Sequence, residues 1–367
     1  MNKICVYAIA KNESQFCERW YKSVAPADKI IVLDTGSTDD TVELLTSLGV
    51  EVHKKEYDHF RFDVARNDCL DLIPDEYNIR VSIDLDEIFI SDKWADTLRE
   101  KWDENRPRVV YKYIWAHNEN GSNGLEFMIN KIHGRDPDLR WEGAVHEHLT
   151  YMSTGKRDFT EFIDLTQDEN LDVHHYPDLT RDRLFYRDLA RERIEEHPND
   201  YQAITLLANE ERVKGDPQEA IYLYERIINN FSNDMSPVEL AAVYFALGQA
   251  QEKIQDGVAA MSSYSKGIGI NKYYRDNYYA LGVLMVKNEL PHMAIGILEE
   301  ALNSTQRFYF WMEDNYTWTF AVYDALGVAY SMIGELDKAL GYAAKALSFD
   351  PTNEVLQKNY NTYLESL

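Results

Sequence analysis

The sequence predicts an α/β domain built on a mostly parallel sheet, followed by an all-α solenoid of helical repeats. Three observations carry this. Nearly all-apolar segments alternate with amphipathic ones over the first half, as in Ile4–Ala10 (ICVYAIA) and Lys29–Asp34 (KIIVLD), and strands apolar on both faces belong in parallel sheets covered by helices. Polar residues gather at the carboxyl ends of these strands, where such sheets bind ligands. Beyond about residue 181 the strand patterns stop, and small residues recur at repeat spacing.

In chain order, the first strand is broken by Lys11, Asn12 and Glu13 before a helix carrying Phe16, Trp20 and Tyr21. The second strand ends at Asp34, and Gly36, Ser37, Thr38, Asp39 and Asp40 supply a turn and cap for a helix over 41–48. A short strand over 50–53, a helix over 62–72 containing Arg66 and Asn67, and a strand over 78–84 complete the alternation. That last strand runs into Ser82-Ile83-Asp84-Leu85-Asp86-Glu87. Read as a strand end, it sets Asp84 and Asp86 on one face, where two carboxylates repel and a bound Mg²⁺ or Mn²⁺ relieves them. The binding rim is then made by Ala10 through Glu13, Asp34 through Ser37, and Asp84 through Glu87. Further strands are expected over 108–115 and 126–132, before the polar and aromatic cluster RWEGAVHEH at 140–148 and the pair His174-His175.

The formal net charge is −25, from 63 acidic and 38 basic residues. This argues against nucleic acid or an anionic membrane surface as partner. The opening NKICVYAIAKNE has too short an apolar run for a signal peptide, and no apolar stretch approaches the length of a membrane span. A soluble cytoplasmic protein without membrane insertion is the expectation. Cys5, Cys17 and Cys69 have no metal or redox spacing and read as buried thiols.

Taken in order, YAIAKNE, VLDTGSTDDT, ARN and SIDLDE resemble family 2 glycosyltransferases of the GT-A fold over roughly the first half of the chain. The resemblance implies a nucleotide-sugar donor, with Ala10, Glu13, Asp34, Arg66, Asp84, Leu85 and Trp141 toward it. Asp34 would contact uracil or ribose, Asp84 ribose or metal, and Asp86 the ion on the diphosphate. It also implies a histidine completing the metal shell, with His175 matching better than His174, and a mixed histidine and carboxylate shell suits Mn²⁺ over Ca²⁺. The VHE segment at 145–147 resembles glycosyltransferases that carry tetratricopeptide repeats, including those that modify bacteriocin peptides. An inverting transfer needs a base beside the acceptor; Glu147 is assigned that role, with His146 and then Glu142 as alternates.

In the second half, Leu207-Ala208, Leu247-Gly248, Leu281-Gly282 and Leu326-Gly327 each stand twelve residues before Ala220, Ala260, Ala294 and Ala339. The alanines are 40, 34 and 45 residues apart, which is the tetratricopeptide pattern with insertions near Met235 and over 308–315. Phe308, Tyr309, Phe310 and Trp311 in the second insertion read as a protein contact or a wedge between repeats. The expected division is a donor-binding domain over 1–180, a connector helix over 181–200 and repeats over 201–367.

The leading reading is an inverting, metal-dependent hexosyl transfer from a UDP-sugar to a peptide or protein side chain, with Mn²⁺ or Mg²⁺ as cofactor. A glycan acceptor is the second reading, and an inactive repeat scaffold that binds a peptide the third. Pairing of two protomers through the repeats is expected by analogy with related enzymes.

Overall fold

The structure, a computed structural model, describes residues 2–118, 121, 123–155, 162–178, 184–308 and 315–367. These fall into two compact units, one of residues 1–116 and 126–193, the other of 194–367 with the loop 117–125.

In the first unit β1 (Ile4–Ala10), α1 (Cys17–Val24), β2 (Lys29–Asp34), α2 (Thr41–Ser47), β3 (Glu51–Lys54), α3 (Phe62–Asp71) and β4 (Ile79–Ser82) alternate as the sequence predicts. Then come β5 (Glu87–Phe89), α4 (Trp94–Lys101), β6 (Arg108–Ile114), β7 (Glu126–Gly134), the hairpin of β8 (Leu139–Glu142) and β9 (His148–Tyr151), β10 (Ile163–Asp164) and β11 (Val173–His175). The main sheet runs β3-β2-β1-β4-β7-β6-β11-β5, with β10 beside β6.

The sheet is mixed. β3, β2, β1 and β4 are parallel, but β7 runs antiparallel between β4 and β6, and β5 runs antiparallel to β11. The expected mostly parallel sheet is nevertheless what forms, because β6, β10 and β11 also pair in parallel and, of the described strands, only β7 and β5 run the other way. A crossover helix is what parallel pairing needs, and among the described residues none stands between β6 and β7, which pair antiparallel. One face of the sheet is covered by α1 and α4 through Trp20, Val24, Trp94 and Leu98. The other face is covered by α3 and the β8–β9 hairpin through Cys69, Leu70, Leu139 and Leu149. Cys5, Cys17 and Cys69 are free and buried.

Helix α5 (Leu184–Glu196) lies where the connector was expected; residues 181–183 of that stretch are outside the described residues. The second unit contains α6 (Tyr201–Lys214), α7 (Pro217–Phe231), α8 (Pro237–Lys253), α9 (Gly257–Ile270), α10 (Arg275–Lys287), α11 (Pro291–Asn303), α12 (Ala321–Met332), α13 (Leu336–Phe349) and α14 (Glu354–Glu365). They pack as consecutive hairpins, α6 on α7 through α12 on α13, with α14 against the last. Ala220, Ala260, Ala294 and Ala339 are all fully buried, so the twelve-residue offset marks the close approach within each hairpin. At Gly282 a Cβ would stand 2.5 Å from Leu298 Cγ across the α10–α11 pair.

In the long interval before α12, Arg275 holds the described residues on both sides. The Arg275 guanidinium donates to the carbonyls of Ser304 (2.6 Å) and Thr317 (3.1 Å) and stacks 3.8 Å over the Trp318 ring. Phe308 is half-buried against the helical core; Tyr309, Phe310 and Trp311 lie outside the described residues. Among the described residues no helix is long and apolar enough to cross a membrane.

Candidate active site

Strands β1, β2 and β4 end side by side, with Ala10 opposite Asp34 and Tyr7 opposite Ser82. The loops leaving β1 and β2 interlock at this rim. The Asn12 backbone N–H donates to Ser37 Oγ (2.9 Å), and Asn12 Oδ1 accepts from the Thr38 N–H (2.7 Å). The Glu13 N–H donates to Thr41 Oγ1 (2.7 Å). Ala10 is buried and its carbonyl accepts from the Thr35 N–H (2.8 Å) and hydroxyl (3.1 Å).

Asp34 is 2% exposed. Its Oδ1 accepts the N–H groups of Gly36 (3.2 Å) and Ser37 (3.1 Å), in a turn that Gly36 closes at φ +107°. Its Oδ2 is buried with no hydrogen-bond partner among the described residues. A buried acceptor left unpaired is uncommon and asks for a donor.

The acidic run departs from its expected geometry. β4 stops at Ser82, so Asp84, Leu85 and Asp86 lie in a turn and the two aspartates do not share a strand face. Glu87, 2% exposed, shapes that turn: its Oε2 accepts the Asp84 N–H (3.0 Å) and its Oε1 accepts from the Tyr113 hydroxyl (2.6 Å) and Lys131 Nζ (2.7 Å). Leu85 is 2% exposed in the hydrophobic core. Its side chain is therefore unavailable to a sugar.

Asp84 lies between two cations, Arg66 Nη2 at 2.8 Å and Lys131 Nζ at 3.1 Å. Burial opposes its ionisation, but Arg66 and then Lys131 outweigh burial and hold the carboxyl well below the usual range. The charge repulsion expected between Asp84 and Asp86 is thus relieved by protein groups at the Asp84 end. Asp86 faces elsewhere: its Oδ2 is 3.2 Å from His175 Nε2, while His175 Nδ1 is 3.1 Å from the Trp115 carbonyl oxygen. With Nδ1–H on that carbonyl, the Nε2 directed at Asp86 is either protonated or a lone pair available to a cation. Burial disfavours the imidazolium, and the Asp86 hydrogen bond and charge outweigh it, raising the pKa. The pair is fixed by main chain, because His175 stands opposite Glu87 across β11 and β5 and the Tyr176 N–H donates to the Asp86 carbonyl (2.8 Å). His174, its neighbour on β11, points to the other face.

Helix α3 holds the segment that follows β8. Asp63, Arg66 and Asn67 are three and four residues apart and share one side of the helix. Asn67 exchanges two bonds with the Trp141 main chain (2.8 and 3.0 Å), and Asp63 Oδ2 accepts the Gly143 N–H (3.0 Å) at a turn with φ +122°. Arg66 Nε donates to Glu147 Oε1 and its Nη1 to Ser82 Oγ (3.2 Å). Arg66 is 3% exposed, so its guanidinium is committed to Asp84 and Glu147 rather than offered at the surface to phosphates.

Trp141 is likewise a core residue, 4% exposed, with its indole N–H donating to the Tyr7 hydroxyl (2.8 Å) and its ring 5.2 Å from the Arg66 guanidinium. Its ring is not presented for stacking on a sugar. His146 is exposed with φ +51°, and Glu142 lies 3.5 Å from Arg193 and 3.9 Å from His148.

Sequence reasoning missed Lys131, Asp63 and Tyr113. Lys131 sits in an ordinary alternating strand and finds its carboxylates 44 and 47 residues away; no local pattern marks it.

Among the described residues no three side chains of metal-ligating type converge. Asp86 and His175 form a two-donor set. Mg²⁺ and Mn²⁺ take one or two protein ligands and complete their shells with water and substrate phosphates, so the donor set fits such an ion.

The family model described as Glycosyl transferase family 2 matches residues 5–162. A TPR repeat-containing protein of Synechococcus elongatus is 23% identical over 300 residues, covering 75% of this chain and 72% of that protein. Of solved structures, MamA (23% identical, TM-score 0.37) covers 45% of this chain and 86% of its own. A thermophilic TPR protein of Thermus thermophilus (20% identical, TM-score 0.37) covers 49% and 89%. Residues 5–162 form a glycosyl transferase family 2 domain, joined in this chain to tetratricopeptide-type repeats.

Proposed function

We propose that the chain transfers a hexose, with inversion, from a UDP-sugar to a peptide or protein side chain, with a divalent ion held by Asp86 and His175. The family 2 domain makes the chain a glycosyltransferase and implies a nucleotide-sugar donor and an acceptor. The observations that support the finer reading are the partnerless Oδ2 of Asp34 at the end of β2 and the Asp86–His175 pair, with Asp86 in the turn that follows β4.

In this reading Asp34 Oδ2 accepts an N–H or O–H of the nucleoside. Asp84, kept ionised by Arg66 and Lys131, accepts from a ribose hydroxyl. When bound, Mg²⁺ or Mn²⁺ supplies a Lewis acid for the charge that builds on the departing nucleoside diphosphate. Glu147 takes the acceptor proton as its oxygen or sulfur attacks the sugar carbon, with His146 the alternate. The division into a donor-binding domain over 1–180, a connector over 181–200 and acceptor-presenting repeats over 201–367 belongs to the same proposal; the repeats motivate the peptide acceptor.

The test is incubation of the full chain with a panel of nucleotide sugars and Mn²⁺ or Mg²⁺, following release of the nucleoside diphosphate. Release from UDP-hexoses that stops with chelator supports the proposal. No release and no thermal stabilisation by any donor would sink it and favour a binding scaffold.

A further inference from the structure

A second group of buried cations lies at the end of the sheet opposite the rim. Arg80 on β4, His133 on β7 and Arg108 on β6 are directly opposite one another in register, so their side chains form a row on one face. Cys5 and Lys29, at the starts of β1 and β2, extend the same row. It is the face of Tyr7, whose hydroxyl donates to His133 Nε2 (2.8 Å) while His133 Nδ1–H donates to the Gly134 carbonyl (2.8 Å). The imidazole between the two arginines is thus fully bonded and neutral.

The arginines are not. Arg80 is 7% exposed and Arg108 3%. The Nε of Arg80 and the Nε and Nη1 of Arg108 are buried with no hydrogen-bond partner among the described residues. Arg108 gives one long bond to the Leu149 carbonyl (3.4 Å) and lies 4.8 and 5.9 Å from the ring centres of Phe162 and Tyr151. Ring faces offset only part of the cost of a buried charge. Elsewhere in the chain buried Arg66 has two carboxylates, and buried Arg275 two carbonyls and the Trp318 ring. The nearby Arg135 has Asp75 (2.8 Å), but no described carboxylate pairs with Arg80 or Arg108, although the chain carries 63 acidic residues. What is missing is an anion that the described residues do not supply.

We propose that the Arg80–His133–Arg108 row binds a small oxyanion of phosphate or sulfate type, remote from the donor rim. The planar guanidinium forks present paired donors suited to such oxygens, and the neutral His133 spaces them.

The test is thermal unfolding of the full chain at constant ionic strength, exchanging chloride for phosphate, sulfate or acetate. A melting temperature that rises with the logarithm of phosphate or sulfate concentration, with acetate weaker, is expected for the native chain and not for Arg108→Met or Arg80→Met. In chloride alone Arg108→Met should melt no lower than the native chain, because it removes a charge without a counter-ion. Arg108→Lys retains the charge without the fork and should weaken the phosphate response about tenfold. The same phosphate response in Arg108→Met, or none in the native chain, overturns the proposal.

Discussion

Arg66 and Glu147 are paired across 81 residues of sequence, and the same guanidinium holds Asp84 at 2.8 Å. Replacing Arg66 by Met leaves Glu147 without this partner and Asp84 with Lys131 alone. Stability should fall by about 3–5 kcal/mol, the cost of breaking a buried pair on one side, as measured by denaturant unfolding. Arg66→Lys should recover only part of it, since one ammonium cannot reproduce the fork.

Asp86→Asn separates the metal from the fold. Asp86 is the carboxylate facing His175, and its own carbonyl accepts the Tyr176 N–H. Metal-dependent nucleotide binding should weaken at least about tenfold with the melting temperature of the unliganded chain nearly unchanged. Titration calorimetry with UDP, with and without Mn²⁺, checks this, and unaltered binding removes Asp86 from the metal shell.

Glu147→Gln keeps the shape and removes the base. Turnover should drop about 10²–10⁴-fold while donor affinity is retained. Full activity in this variant assigns the proton transfer to another group, His146 being next in order.

His133 makes stability pH-dependent in a defined window. Burial pushes its pKa down from 6.5 to about 3, against the opposing Gly134 hydrogen bond. Above pH 6.5 the ring is neutral both folded and unfolded and costs nothing. Between pH 6.5 and 3 only the unfolded chain takes up the proton, so stability is lost as pH falls, by up to about 1.4 kcal/mol per unit. The stability difference between the native chain and His133→Gln, measured from pH 7 to 4, should narrow accordingly.

In the repeats, Gly282→Ala sets the added methyl 2.5 Å from Leu298 Cγ, and Leu298 is fully buried. Overpacking costs about 1–3 kcal/mol, which exceeds or cancels the roughly 1 kcal/mol gained in helix propensity. Thermal melting should show no gain in stability, in contrast to Gly341→Ala on α13, where nothing lies within 4 Å.

The parts legible in the sequence are those whose pattern is local. β1 and β2 declare themselves by unbroken apolar runs, and the repeats by alanines twelve residues after a Leu-Gly or Leu-Ala pair. The acidic run was legible as a site but not in its geometry, because the strand ends two residues sooner and Glu87 folds the turn by bonds to Asp84, Tyr113 and Lys131. Trp141 reads equally well as a sugar platform or a core residue until its indole N–H is seen on Tyr7. β5 and β11, three residues each, exist through their pairing and carry no periodicity of their own.

That short ladder has a consequence for ion choice. Asp86 and His175 are carried on adjoining stretches of backbone joined by cross-strand bonds, so in the proposed metal site the gap between them would be held like a caliper by the sheet. Such a jaw does not shrink around a smaller ion. If the proposed ion binds there, the choice among divalent metals would depend in part on residues such as Val173 and Phe89, fully or nearly buried within the ladder.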